Sequence, residues 1–309
     1  MKAIAAASAL CLSIAIPVSA TGAARTFVSF AGLDTNPCSR TSPCRSFTAA
    51  LAQTARGGTI VALDSAGYGT ITIGQSVSIV APEGVYAGIS ATSGEAITIA
   101  ATTNADIIHL RGLSIEGSGS GSDGIFLNQG SLKELHVDHC VITGFVGTAL
   151  FYWTTGNTIS NLFVSDSTFS DANYGLFAYS ENVASAPHVS VDHCRFNANT
   201  NTGFDMQGAA IGTITNSVVS GNLTGIFADL GAVAIADHCQ VTYNGLGVSA
   251  FEGSTIYLSN STVSGNETGI LADNSTLKSM IRDGTYPLKT NVVAGNESNG
   301  AFTGTFTAQ

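Results

Sequence analysis

The chain has 309 residues, 35 of them Gly, and only 10% are charged, against about 25% in an ordinary soluble domain. The formal net charge of −10 excludes the basic footprint that nucleic acid or an anionic membrane surface requires of a partner. Hydrophobic residues make up 44%, too many for a disordered chain, so a folded core is expected under a surface built from Thr, Ser, Asn and Gly.

The chain opens with Lys2, an apolar run "IAAASALCLSIAIPV" and the small-x-small word Val18-Ser19-Ala20. This is the form of a cleaved signal peptide, expected over 1–20. The run is too short for a comfortable membrane span, and no later stretch reaches spanning length. The mature protein is therefore expected to be exported, to the periplasm or the cell exterior, with no membrane span. An N-terminal segment, 21–56, follows. Its "NPCSRTSPC" places Cys38 and Cys44 close together in a Pro-containing loop, and in an exported protein a disulfide between them is expected. In "RSFTAALAQTA" (45–55), Phe47, Ala50, Leu51 and Thr54 share one helical face. Such a helix would cap an open core.

From 57 to 309 the pattern is repetitive. "VSDSTFSDANYGLF", "ITNSVVSGNLTGIF", "IADHCQVTYNGLGV" and "LSNSTVSGNETGIL" share a polar corner, an apolar residue, Asn or a small residue, then Gly and another apolar residue. One landmark reads Cys140, Ser167, Cys194, Ser217, Cys239, Ser261. Another reads Gly124, Ala149, Gly175, Gly203, Gly225, Gly247, Gly269. Both keep a period of 22 to 28 residues. The Leu-x-x-Leu-x-Leu frame of leucine-rich repeats is missing. Period-two alternation in "TITNSVVSG" and "STIYLSNSTVSG", broken by Gly and Asn, reads as short strands rather than helices. The expected fold is all-β: a single-stranded right-handed parallel β-helix, a β-solenoid whose apolar residues stack into one continuous core, with a short N-terminal capping helix.

At these residues the chain resembles the pectin-lyase-like superfamily of right-handed parallel β-helices. The likeness lies in "PCRSFTAALAQTARGGTIVALDSAGYGTITIGQSVSIVA", in "LRGLSIEG" and in the Asn/Ser-Gly-Ile coils. The resemblance implies the fold. It leaves the activity open, because lyases, hydrolases, epimerases, adhesins and scaffolds share that fold. The pectate-lyase word Trp-Ile-Asp-His is echoed by "VDH", but without the Trp and without an Arg-x-Pro-x-x-Arg companion. The Asp-Asp pair and Arg-x-Lys word of polygalacturonase-type hydrolases are also absent.

Three "DHC" words, at 138–140, 192–194 and 237–239, look like hydrolase parts. Their spacing puts His139, Asp166, His193, Asn216, His238 and Asn260 at one corner of six successive coils. A structural polar column is expected there, and His139, Asp166 and His193 as metal ligands is the sharper alternative. Cys140, Cys194 and Cys239 are expected as buried, reduced packing residues, since cysteines two coils apart are beyond disulfide reach. No metal, cofactor or catalytic residue is assigned.

One pattern points to a partner. Alternation sends Phe126, Phe151, Phe177, Asp205, Phe227, Ser249 and Leu271 outward, followed by Asn128, Trp153, Tyr179, Gln207, Asp229, Phe251 and Asp273. Phe126, Phe151, Trp153, Phe177 and Tyr179 would form an aromatic platform suited to sugar rings or to a protein partner. The leading expectation is a non-catalytic exported scaffold binding polysaccharide or protein through that face. The alternatives are a glycoside hydrolase or lyase using Asp205 and Asp229, which the strand offsets place about 8 Å apart, and a purely structural surface component.

Overall fold

The computed structural model describes residues 22–101, 103–155, 159–282 and 288–307. The expected leader, 1–20, lies outside them. The chain winds as a right-handed parallel β-helix with three strand faces. Sheet I, 13-stranded, includes Glu134–Asp138, Ser160–Ser165, Pro187–Asp192 and Ile211–Thr215. Sheet II, 10-stranded, is built of short strands such as Val141–Thr143, Thr168–Ser170, Arg195–Asn197 and Val218–Ser220. Sheet III, 9-stranded, holds Ile125–Gly130, Thr148–Thr154, Tyr174–Ser180, Thr202–Gly208, Thr224–Asp229, Leu246–Phe251 and Thr268–Asp273. Each coil visits I, II and III in turn.

The corner between sheets I and II is a single residue in the left-handed region. It is His139, Asp166, His193, Asn216, His238 or Asn260, with φ between 47° and 53°. Short polar side chains of this kind tolerate left-handed backbone better than branched ones. The Cys/Ser column comes next. Ser167, Ser217 and Ser261 each accept the backbone N–H of Cys140, Cys194 or Cys239 on the preceding coil at 3.0 Å. Each Ser also donates to a carbonyl two residues back in its own coil. The alternation of Cys and Ser thus satisfies a backbone donor that would otherwise be buried and unpaired.

A second ladder stands between sheets II and III. Asn199 donates its side-chain N–H to Asn222 Oδ1, Asn222 to Asn244, Asn244 to Asn266 and Asn266 to Asn296, all at 2.9–3.0 Å. Each acceptor also takes the backbone N–H of the Asn before it. The Gly landmark follows at once, and its reason is close approach. A Cβ on Gly175, Gly225 or Gly247 would lie 2.4–2.5 Å from the carbonyl oxygen of the next coil's Gly.

The interior is a stack of like on like. Leu150, Leu176, Phe204, Ile226, Val248 and Ile270 line sheet III's inner face, and Phe169 stacks on Phe196 with centroids 5.0 Å apart. At the N-terminal end, Ala23–Val28 adds a strand to sheet I beside Thr54–Ala62. The helix Phe47–Gln53, N-capped by Ser46, buries Phe47 and Ala50 over the first coil. Cys38 and Cys44 are disulfide-bonded beside it.

Candidate functional site

The outer face of sheet III carries the candidate site. Its register runs Phe126, Phe151, Phe177, Asp205, Phe227, Ser249, Leu271, each paired with the next. Trp153, Tyr179, Gln207 and Asp229 pair in the row beside it. That second row does not begin at Asn128. A register shift between Leu127 and Gly130, with Gln129 at φ 52°, takes Asn128 out of the ladder.

The rings are half-buried, and their planes differ. Phe126 stacks on Phe151 at 5.2 Å and Phe151 on Phe177 at 5.3 Å, so these three bury their faces against one another and show edges outward. Trp153 is turned 69° from Phe151 and 66° from Tyr179. Its face is therefore not used up by stacking. The flat platform expected from alternation is instead a ridge of Phe edges flanked by a turned indole.

Asp205 interrupts the ring column. Paired between Phe177 and Phe227, it is only 1% exposed although its strand position points outward. Burial pushes its carboxyl up to about 8; hydrogen bonding from Gln207 and Thr202 offsets this only in part, and the negative charge of Asp229 adds to the rise. Asp205 is thus mostly protonated at neutral pH. Asp229, one coil on and two residues along, caps the backbone N–H of Leu230 at 2.8 Å.

Three buried side-chain polar atoms among the described residues have no hydrogen-bond partner: Trp153 Nε1, Asp205 Oδ1 and Ser249 Oγ. All three belong to this outer face. Buried polar groups are nearly always paired, and an orphan calls for a reason. A shallow groove lined by Tyr179, Glu181, Val183, Gly208, Ala209, Leu230 and Gly231 opens along one edge of the same face. Sequence reasoning missed it. The signal was the longest repeat, the 28-residue step from Gly175 to Gly203, whose extra residues form the turn carrying Glu181 and Val183.

The "DHC" corner is a column of Asp–His pairs. His139, His193 and His238 contact Asp138, Asp192 and Asp237 through Nδ1 at 2.6–2.7 Å. Asp192 also accepts from Thr215 and Asn216 of the next coil, and Asp237 from Ser259 and Asn260. These bonds outweigh desolvation and hold Asp192 down at about 2. The ligand set His139, Asp166 and His193 does not assemble. Asp138, His139 and Asp166 do gather, with ligand atoms within 4.8 Å, but Arg111 already pairs with Asp138. Cys140, Cys194 and Cys239 are free and buried, with burial pushing each thiol up to about 12. No thiolate nucleophile is available there.

The family described as right handed beta helix region matches residues 157–307. Among solved structures, pectate lyase Pel9A aligns with a TM-score of 0.62 at 15% identity, over 86% of this chain and 79% of its own. XylC in complex with xylose aligns at 0.61 and 9% identity, over 84% and 69%. The lacto-N-biosidase of Eubacterium ramulus aligns at 0.58 and 9% identity, over 92% and 67%. No curated protein sequence matches the chain. At such identities the likeness is one of fold alone: the chain is a right-handed parallel β-helix.

Proposed function

We propose that this protein is an exported scaffold that binds polysaccharide through the outer face of sheet III, with Phe126, Phe151, Trp153, Phe177 and Tyr179 as its contact residues. The observation that carries this reading is the set of three orphan polar atoms, Trp153 Nε1, Asp205 Oδ1 and Ser249 Oγ, all on that one face. Sugars present apolar ring faces rimmed by hydroxyls that both donate and accept, which matches an aromatic ridge interleaved with unsatisfied polar groups. A side-chain rotation of the half-buried rings would give a glycan access to them. Structural neighbours whose names include a pectate lyase, a xylose complex and a lacto-N-biosidase support a carbohydrate partner. The Cys38–Cys44 disulfide fits an oxidising compartment, the periplasm or cell exterior. Native gels cast with individual polysaccharides test the reading. At least one polymer should retard the wild type, and Trp153→Ala should lose most of that retardation. Retardation unchanged in the variant would remove the face from the account.

One observation favours a second reading. Asp205 is buried, which raises its carboxyl, and lies one coil from half-buried Asp229, two environments that push an acid and a base apart as in a glycosidase. Hydrolysis would release new reducing ends, abolished in both Asp205→Asn and Asp229→Asn. Binding without such release leaves the scaffold reading alone in place.

A further inference from the structure

The charge on the binding face restricts what can occupy it. This inference rests on the reading of sheet III as the glycan face. From Thr148 to Ser275 the sequence contains one Lys or Arg, Arg195, and it lies at the start of a sheet II strand. The sheet III strands in that stretch carry no cation. They carry Asp205, Asp229 and Asp273, and Glu181 lines the adjoining groove. A polyuronate brings a carboxylate on every residue. Such polymers are held by Arg or Lys or by a bridging divalent cation on several ionised carboxylates.

Neither device is present on this face. Asp205 is 1% exposed, and burial holds its carboxyl toward the neutral form, so it brings no ionised oxygen to a bridging ion. The described residues that gather for a metal, Asp138, His139 and Asp166, stand at the sheet I–II corner instead. The orphan groups on sheet III are an indole N–H, a carboxyl and a hydroxyl. These are neutral hydrogen-bonding groups suited to sugar hydroxyls. Half-buried Asp229 and exposed Glu181, the latter lining the groove, would repel uronate charges and accept hydroxyl donors. We infer that the ligand of the sheet III face is an uncharged glycan, and that polyuronates are excluded from it.

Retardation in native gels separates the outcomes. The probes are two neutral polymers, xylan and galactomannan, and two acidic ones, polygalacturonate and alginate, each run with calcium and with EDTA. Wild type and Trp153→Ala are compared throughout. The expected result is Trp153-dependent retardation by at least one neutral polymer, insensitive to salt. Binding to either polyuronate should be at least tenfold weaker in both calcium and EDTA. Trp153-dependent binding to a polyuronate of equal or greater strength, in either condition, would overturn the inference while leaving the glycan face standing. Failure of all four polymers to show Trp153-dependent retardation would count against the face itself, and the inference would go with it.

Discussion

Asp205 is the residue at which the outer face departs from ordinary packing. Its carboxyl is raised to about 8 from a reference of 3.8. Between those values the folded state binds a proton that the unfolded chain has released, so stability must fall as pH rises through that window. The contribution is complete below the unfolded value and lost on passing about 8. Asp192 works in the opposite sense. Its value of about 2 means its contribution is present above about 4 and is lost as pH falls toward 2. Asp205→Asn should therefore match the wild type near pH 3.8 and exceed it near pH 8, by on the order of a few kcal/mol. Urea midpoints at the two pH values measure this. Equal midpoints for variant and wild type at pH 8 would mean the carboxyl is not held protonated. The burial of Asp205 was not legible in the sequence. It depends on Phe177 and Phe227, which reach it only through coils before and after.

At the scale of the element, one coil is a short grammar of corner, Cys or Ser, Asn and Gly, and each word has a mechanical reason. The left-handed corner turns the chain, the Ser hydroxyl and Asn amide satisfy backbone N–H groups, and Gly lets adjacent coils meet. Asn222 is the sharpest test. It accepts from Asn199 and donates to Asn244 and to the Phe196 carbonyl. Asn222→Ala should strand those partners at a cost of about 2–4 kcal/mol, read as a lowered denaturant midpoint. A shift below 0.5 kcal/mol would mean the ladder is ornamental rather than structural. Coil order and the outward row could be read from sequence because like residues recur at the Gly landmark. Ring orientation could not, because alternation assigns a side chain to a face but says nothing of its χ angles. The bulge at Gln129 and the groove beside Tyr179 also escaped, since both lie where the repeat lengthens or slips.

The whole molecule is a one-dimensional stack whose stability is shared between neighbouring coils. Its N-terminal edge is covered by the helix Phe47–Gln53 and a disulfide loop, and Val293 and Phe302 pack against the core in the C-terminal coils. The reactive-looking words in the sequence dissolve into columns on this scaffold. Among the described residues, the buried side-chain polar atoms without a hydrogen-bond partner concentrate on one face of one sheet. Trp153 is the sole Trp in the chain and sits on that face, so it reports on occupancy without added labels. Titration of intrinsic fluorescence with the neutral polysaccharides is the most direct measurement. A saturable change in Trp153 emission, at the concentrations that retard the protein in gels, is the predicted result. A polymer that binds while leaving the emission unmoved would show that recognition happens elsewhere and would contradict the account.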